Sequence, residues 1–149
     1  MPVTTYTTRL RWEGSTGLGW ENYDRAHNAT APPAEQRIRL TTGESKGDPS
    51  ILNPEQLVVI AASSCQALWF LHLAAKARID VVAYEDDATA TMPEDEGLSE
   101  IVLRPRIIVG GEASEERVLK LVDTAHRHCN IAKSLRTPIS IEASVEVRD

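Results

Sequence analysis

The stretch that decides the fold is residues 53–65, which read Asn-Pro-Glu-Gln-Leu-Val-Val-Ile-Ala-Ala-Ser-Ser-Cys. Asn53 is a good N-cap, Pro54 suits the first helical position, and Glu55 lies at the positive end of the helix dipole. These signals predict a helix that runs to about Arg78. Because the segment is apolar almost all round, it must be buried on most faces, either at the centre of a domain or against another subunit.

The same helix must be tested against a membrane span. Residues 57–75 carry no formal charge and approach the length that crosses a bilayer. Their hydrophobicity is interrupted, however, and the amphipathic strands on either side need an apolar element to pack on. We therefore expect no membrane association, on the strength of the interrupting residues Ser63, Ser64, Cys65, Gln66 and His72.

Strand-like alternation surrounds this helix. Residues 4–12, 20–29 and 36–41 predict three strands before it. Residues 81–92 and 99–109 predict a hairpin after it, joined by the loop 93–97, and residues 139–147 predict a final strand. The residues expected to point inward in the hairpin are Val82, Tyr84, Ile101, Leu103 and Ile107.

A second helix is predicted from Ser114, with acidic residues in its first turn and Arg127, His128 and Lys133 near its end. Its buried stripe includes Val118, Leu121, Val122, Ala125 and Cys129. The element order is three strands, helix, two strands, helix, strand. This order predicts an α+β fold in a single domain spanning 1–149, with an antiparallel sheet around a long buried central helix.

Composition narrows the function. A chain of 149 residues is long enough to bury a core without disulfides, and its net charge of -6 argues against a nucleic-acid partner. The N-terminal residues lack the pattern of a signal peptide, so we expect a cytoplasmic protein with free thiols.

The only two cysteines, Cys65 and Cys129, are sixty-four residues apart, a spacing that by itself pairs nothing. A buried cysteine is most often a small hydrophobe. A reactive one must be a thiolate, which needs a nearby cation or base. Cys65 is too far into its helix for the dipole, and His72 lies about 10 Å along the axis. An arginine from another strand is the best remaining activator.

Three features together resemble the OsmC/Ohr family of osmotically inducible and organic hydroperoxide resistance proteins. They are the Asn-Pro-Glu-Gln-Leu opening at 53–57, a cysteine ten residues after Glu55, and a second cysteine sixty-four residues further on. The resemblance implies an intertwined homodimer with its sites at the interface. It also implies a thiol peroxidase: Cys65 attacks an organic hydroperoxide, and Cys129 closes a disulfide on the resulting sulfenic acid. An external dithiol, a lipoyl-bearing protein in the Ohr branch, then reduces the disulfide, and no metal or other cofactor is required.

The family's peroxidases hold an arginine beside the attacking cysteine by means of a glutamate. Glu55 matches that glutamate, and Arg25 is placed as in the Ohr branch, whereas Arg37 or Arg39 would match the OsmC branch. We favour Arg25, since Arg37 and Arg39 lie on the predicted solvent side of their strand. The hydroperoxide's alkyl group would lie against Trp20, Leu68 and Trp69, which serve equally well as ordinary core residues.

Glu55 lies about 15 Å from Cys65 along a continuous helix, so we expect it to serve the site of the other subunit. Three alternatives stay open. His126, His128 and Cys129 could join Cys65 around a structural zinc ion. A non-enzymatic relative could bind a small apolar ligand at the dimer interface. A cysteine hydrolase would need a histidine base, which the sequence does not place. Residues 128–134 also depart from the family's usual sequence around the second cysteine.

Overall fold

The computed structural model describes residues 2–43 and 45–149 and divides them into two compact units, one up to Leu57 and the other Val58–Asp149. Both contain strands, and the second contains most of the helical residues, which gives the α+β class predicted from the sequence.

The first unit contains the antiparallel sheet β1–β2–β3, formed by Arg9–Arg11, His27–Thr30 and Arg37–Leu40. The three strands occur in the predicted order, but each is shorter than predicted. The second begins seven residues late because the chain first makes a 3-10 turn at Thr16–Leu18. A further turn follows, in which the Gly19 carbonyl accepts the N–H groups of Asn22 and Tyr23 at 2.9 and 3.2 Å.

Helix α1, Pro54–Lys76, begins where the sequence predicts it. The Asn53 side chain accepts the Gln56 N–H at 2.9 Å, and the Gln56 side chain accepts the Asn53 N–H at 3.0 Å, which is a capping box. The helix ends in a left-handed residue, Arg78, at φ 59°. There the N–H of Ile79 bonds to the carbonyl of Ala74 at 2.9 Å, the bond of a Schellman motif.

Only one stripe of α1 is fully buried, comprising Ala62, Gln66, Phe70 and Ala74. Other apolar side chains stay exposed within the single chain, including Ile60 at 50% and Leu68 at 66%. By length and composition alone, α1 would also be able to cross a membrane.

The second unit contains six strands in two three-stranded sheets, ordered β4–β7–β9 and β5–β6–β8. The strands are β4 (Val81–Asp86), β5 (Thr89–Thr91), β6 (Glu100–Leu103), β7 (Pro105–Gly110), β8 (Ile139–Ile141) and β9 (Ser144–Arg148). β4 pairs antiparallel with β7, and β5 with β6, which confirms the predicted hairpin. In contrast, β8 runs parallel to β6, and β9 runs parallel to β7, because two helices connect β7 to β8. Both sheets are therefore mixed.

Four of the five predicted inward residues of the hairpin are buried or half-buried, and Val82 is not. Its side chain is 53% exposed. The register of β4 against β7 shifts between Val81 and Ala83, so Val82 is the extra residue of a bulge and its side chain leaves the inward face.

The Asp86 carboxylate links helix α1 to the residue between β6 and β7. Where the ladder is interrupted, Asp86 accepts the N–H of Arg104 at 2.6 Å with one oxygen and the hydroxyl of Ser63 at 2.5 Å with the other. The Arg104 side chain continues the network by donating to Thr89 at 2.8 Å and pairing with Glu142 at 3.3 Å. The position of α1 on the sheet thus depends on a hydrogen bond to a charged group.

Helix α2, Glu115–His128, is capped by Ser114, whose hydroxyl accepts the Arg117 N–H at 3.2 Å. The sequence predicted that this helix continues to about Lys133, and that is wrong. Cys129 has an extended backbone, with φ -61° and ψ 114°, and separates α2 from the short helix α3, Asn130–Ser134. Cys129 is nevertheless buried, as the stripe predicted, at 2% exposure.

The core of the second unit packs one face of α1 and of α2 against the inner face of the sheet. Side chains from α1 supply Phe70 and Ala74, and β7 supplies Ile107 and Val109. The α2 contribution is Val118, Val122 and Ala125, which are 0%, 3% and 0% exposed. Burial of this apolar surface holds α2, and with it Cys129, in a fixed position.

We expect Ser63→Ala to lower the free energy of unfolding by about 1–2 kcal/mol, because it removes a charge-assisted hydrogen bond from the half-buried Asp86 carboxylate. Urea denaturation followed by circular dichroism measures the change. Ser64→Ala is the matched control, since Ser64 is exposed and makes no side-chain hydrogen bond with the described residues. Equal effects of the two substitutions would show that the bond to Asp86 contributes no stability.

Candidate active site at Cys65 and Cys129

The two cysteines meet between the middle of α1 and the end of α2. Both are free thiols, and Cys65 lies close enough to Cys129 to affect the pKa of the Cys129 thiol. The sequence could not pair them, and the fold does. Their surroundings are unequal, because Cys65 is partly exposed and Cys129 is buried.

The environment of Cys129 keeps its thiol protonated. Burial raises the pKa of Cys129, the backbone N–H of Ala132 opposes that effect, and the neighbouring Cys65 thiol raises the pKa further. The Ala132 N–H donates to the sulfur at 3.4 Å. A thiol with a raised pKa is a weak nucleophile at neutral pH, so Cys65 is the better placed of the two for attack.

Gln66, next to Cys65 in α1, fixes the approach of the two helices. Its side chain is 1% exposed, and its amide nitrogen donates to the Val122 carbonyl of α2 at 3.1 Å. Its side-chain oxygen is buried without a hydrogen-bond partner among the residues that the structure describes. From the sequence, Gln66 is only a polar residue that interrupts an apolar helix. Its role in positioning α2 against α1 follows from the tertiary contact.

An aromatic contact lies one turn further along α1. The rings of Trp69 and His128 stack with centroids 4.9 Å apart at 20°, and His72 meets Trp69 edge-on at 5.8 Å. Leu68, Trp69 and His72 line a shallow cavity of about 230 Å³. Two of the three predicted substrate-pocket residues thus share one cavity on the Cys65 side of the helix, whereas His128 was missed as part of this cluster.

The surface around the end of α2 is cationic. Residues 124–141 contain no acidic residue. A cavity of about 360 Å³ is lined there by His126, Arg127, Lys133 and Arg136 among others. None of these four makes an ion pair with a carboxylate in the described parts of the chain. The region beside Cys129 therefore favours anionic over cationic reactants.

Arg25 belongs to the first unit, where its own segment holds it. Its guanidinium donates to the carbonyls of Trp20 and Tyr23 at 2.6 and 2.7 Å. It lies 3.7 Å from the centroid of the Tyr23 ring and 6.0 Å from that of Trp20. No carboxylate of residues 2–43 and 45–149 forms an ion pair with it.

The other predicted residues of the first unit are also placed. Glu55 is half-buried in the first turn of α1. Arg37 and Arg39 are exposed on β3, as the sequence predicted. Trp20 is 67% exposed, with the Lys46 ammonium 4.9 Å from its ring centroid. The roles of Arg25, Glu55 and Trp20 stay predictions.

The zinc alternative has no support in the side-chain arrangement. Within the described residues, no group of three or more His, Cys, Asp or Glu side chains is arranged to hold a metal ion. His128 turns to Trp69, and His126 lines the cationic cavity.

Residues 47–144, well over half of the chain, match the family model described as "OsmC-like protein". An OsmC-like protein of unknown function from Vibrio cholerae is 24% identical over 95% of this chain and 100% of its own, with a TM-score of 0.83. Organic hydroperoxide resistance proteins from Bacillus subtilis and Legionella pneumophila are 19% and 18% identical, with TM-scores of 0.62 and 0.65. The alignments cover 96% and 99% of this chain and 98% and 100% of theirs. No curated protein sequence gives a significant match. The chain belongs to the OsmC-like family.

Proposed function

We propose that the protein is a cysteine peroxidase that reduces organic hydroperoxides. The observation that carries this proposal is the closeness of two free thiols of unequal exposure, Cys65 and Cys129. Two relatives of the same fold are named organic hydroperoxide resistance proteins, which supports the same reaction.

The proposed reaction has three steps. The Cys65 thiolate attacks the O–O bond of the hydroperoxide, so that sulfur becomes a sulfenic acid and the departing alkoxide takes a proton to leave as an alcohol. Cys129 then attacks the sulfenic sulfur, forms the disulfide and releases water. An external dithiol, such as that of a lipoyl protein, reduces the disulfide and is itself oxidised. The closeness of Cys129 to Cys65 supports its role in this second step.

The preference for organic hydroperoxides rests on the apolar side chains near Cys65. Leu68 and Trp69 form part of one cavity, and burial of an alkyl group against them stabilises an organic substrate relative to hydrogen peroxide. The same cavity is the feature that favours the second candidate function, binding of a small apolar ligand without catalysis. Consumption of peroxide by the reduced protein separates the two.

The active form in this proposal is a homodimer. Apolar side chains of α1 such as Ile60, Leu68 and Leu71 are exposed in one chain, and a two-fold contact between helices would cover them. α1 is unbroken from Pro54 to Lys76, so Glu55 would act on the Cys65 of the other subunit. Arg25, held by that glutamate, would stabilise the thiolate. A reducing compartment such as the cytoplasm would keep the cysteines available for catalysis.

We expect Cys65→Ser to reduce consumption of cumene hydroperoxide to the rate of buffer, because the nucleophile is gone. Cys129→Ser should still consume one equivalent of hydroperoxide and then accumulate sulfenic acid, which overoxidises. Intact-protein mass spectrometry and dimedone labelling distinguish these products. Turnover in Cys65→Ser would refute the peroxidase proposal, and an unreacted Cys65 in Cys129→Ser would show that the roles are reversed.

Arg25→Ala should slow alkylation of Cys65 by iodoacetamide near pH 7 by about tenfold, because the thiolate loses its stabilising cation. Arg25→Lys retains the charge and should be affected less. The controls are Arg37→Ala and Arg39→Ala, which remove the same charge from exposed positions. A larger effect of either control would transfer the activating role to that arginine.

A mixture of Glu55→Ala and Cys65→Ser chains should recover part of the peroxidase activity that each lacks. In the heterodimer, one site would contain both an intact glutamate and an intact cysteine. Native mass spectrometry establishes that heterodimers are present when activity is measured. No recovery in such a mixture would place both residues of a site on one chain.

A further inference from the structure

One face of the first unit's sheet concentrates positive charge in an acidic protein. The strand register places Arg9, Thr30 and Arg37 in one row across β1, β2 and β3. Two residues along, a second row on the same face contains Arg11, Asn28 and Arg39. The row between them points to the opposite face, since side chains alternate along a strand, and is apolar: Leu10, Ala29 and Ile38. This cationic sheet face therefore presents four arginines and two neutral polar side chains.

Two of these four arginines, Arg9 and Arg37, have no described carboxylate that compensates their charge. Arg11 pairs with Glu13 at 2.5 Å, and the charge of Arg39 adds to the lowering of the Asp48 pKa, which hydrogen bonds from Ser50 chiefly cause. Arg9 and Arg37 are exposed and form no ion pair with any carboxylate that the structure describes. The residue between them in the row, Thr30, is neutral and compensates neither charge.

The two unpaired guanidiniums face a common space. Arg9 and Arg37 are separated by one strand, so their Cα atoms lie about 10 Å apart and their side chains can converge over Thr30. Together with Arg11, Asn28 and Thr30, they line a cavity of about 440 Å³. That volume lies in the range of small-molecule sites, roughly 300–1,000 Å³. A built cavity distinguishes this face from arginines scattered over a solvated surface.

The chemistry of the lining selects an anion that takes several donors. A guanidinium offers two parallel N–H groups to the oxygens of a phosphate, and the donors of this face lie in two rows of the sheet, which suits two adjacent phosphate groups. A diphosphate group provides enough oxygen acceptors, and the remaining cavity volume leaves room for an organic moiety. A nucleic-acid strand is disfavoured by the protein's overall negative charge.

We propose that the cationic sheet face, centred on Arg9 and Arg37, binds a small organic diphosphate. The site lies wholly within the first unit and contains neither Cys65 nor Cys129. Its occupancy is therefore independent of the peroxidase proposal. A bound diphosphate would neutralise the unpaired charges, so the ligand would stabilise the folded protein.

Isothermal titration of the full-length reduced protein with ADP, pyrophosphate and AMP at low ionic strength tests the proposal. We expect ADP and pyrophosphate to bind with a Kd below about 1 mM and AMP at least about fivefold more weakly. Arg9→Gln and Arg37→Gln should each weaken ADP binding by about tenfold. Arg148→Gln is the matched control, because it removes the same charge from an exposed strand position outside the cavity and should change binding by less than about twofold.

Thermal denaturation of the ligand-free variants shows whether they are folded. Arg9→Gln and Arg37→Gln change exposed side chains that form no ion pair with the described residues, so both should melt at about the wild-type temperature. Several results would overturn the proposal: no binding of either diphosphate, binding unaffected by both substitutions, equal affinity for AMP and ADP, or tighter binding of a single-stranded oligonucleotide than of ADP.

Discussion

Helix α1 has more apolar surface than its own chain covers, and this imbalance constrains the rest of the molecule. One stripe, Ala62, Gln66, Phe70 and Ala74, is buried, while Ile60, Leu68 and Leu71 remain open. An exposed helix of this kind is costly in water unless a second surface covers it. The same helix carries Cys65, so whatever covers the helix also shapes the surroundings of the thiol. This connection makes dimer formation and catalysis parts of one proposal.

The difference between the two cysteines has a local cause. Cys65 lies within the regular helix α1, one turn before Trp69 on the same side. The neighbouring stripe of this helix is buried. Cys129 lies where α2 gives way to α3, and its sulfur accepts the N–H of Ala132 in place of a regular helical bond. Burial then keeps its thiol neutral. In the proposed reaction, Cys129 must lose this proton before its sulfur can attack a sulfenic acid on Cys65, because the thiolate is the nucleophile.

The protein has two cationic surfaces although its net charge is negative. A cationic cavity borders the end of α2, and a second cationic surface covers one face of the N-terminal sheet. Both surfaces contain arginines without carboxylate partners among the described residues. Local fields of this kind attract anions even when the net charge is negative, because screening confines each interaction to about 10 Å. The first surface lies beside Cys129, and the second lies in the other unit.

The sequence by itself determined the start of α1, its apolar character, the order of the elements and the buried position of Cys129. Each of these follows from local rules, such as the capping of residues 53–56 and the periodicity of apolar side chains. The family resemblance at residues 53–65 added the identity of the attacking cysteine as an expectation. The alternation of Arg37 and Arg39 on β3 was also local and was predicted.

Only the tertiary structure decided how distant segments meet. The bulge at Val82, the parallel pairing of the last strands and the Asp86 bridge between helix and sheet depend on contacts between residues far apart in sequence. The break of α2 at Cys129 is of the same kind, because nothing in residues 125–133 forbids a continuous helix. The closeness of Cys65 to Cys129, the stack of Trp69 on His128 and the cavity shared by Arg9 and Arg37 are likewise products of packing and register. No periodicity encodes them, since each requires two elements to be positioned against each other first.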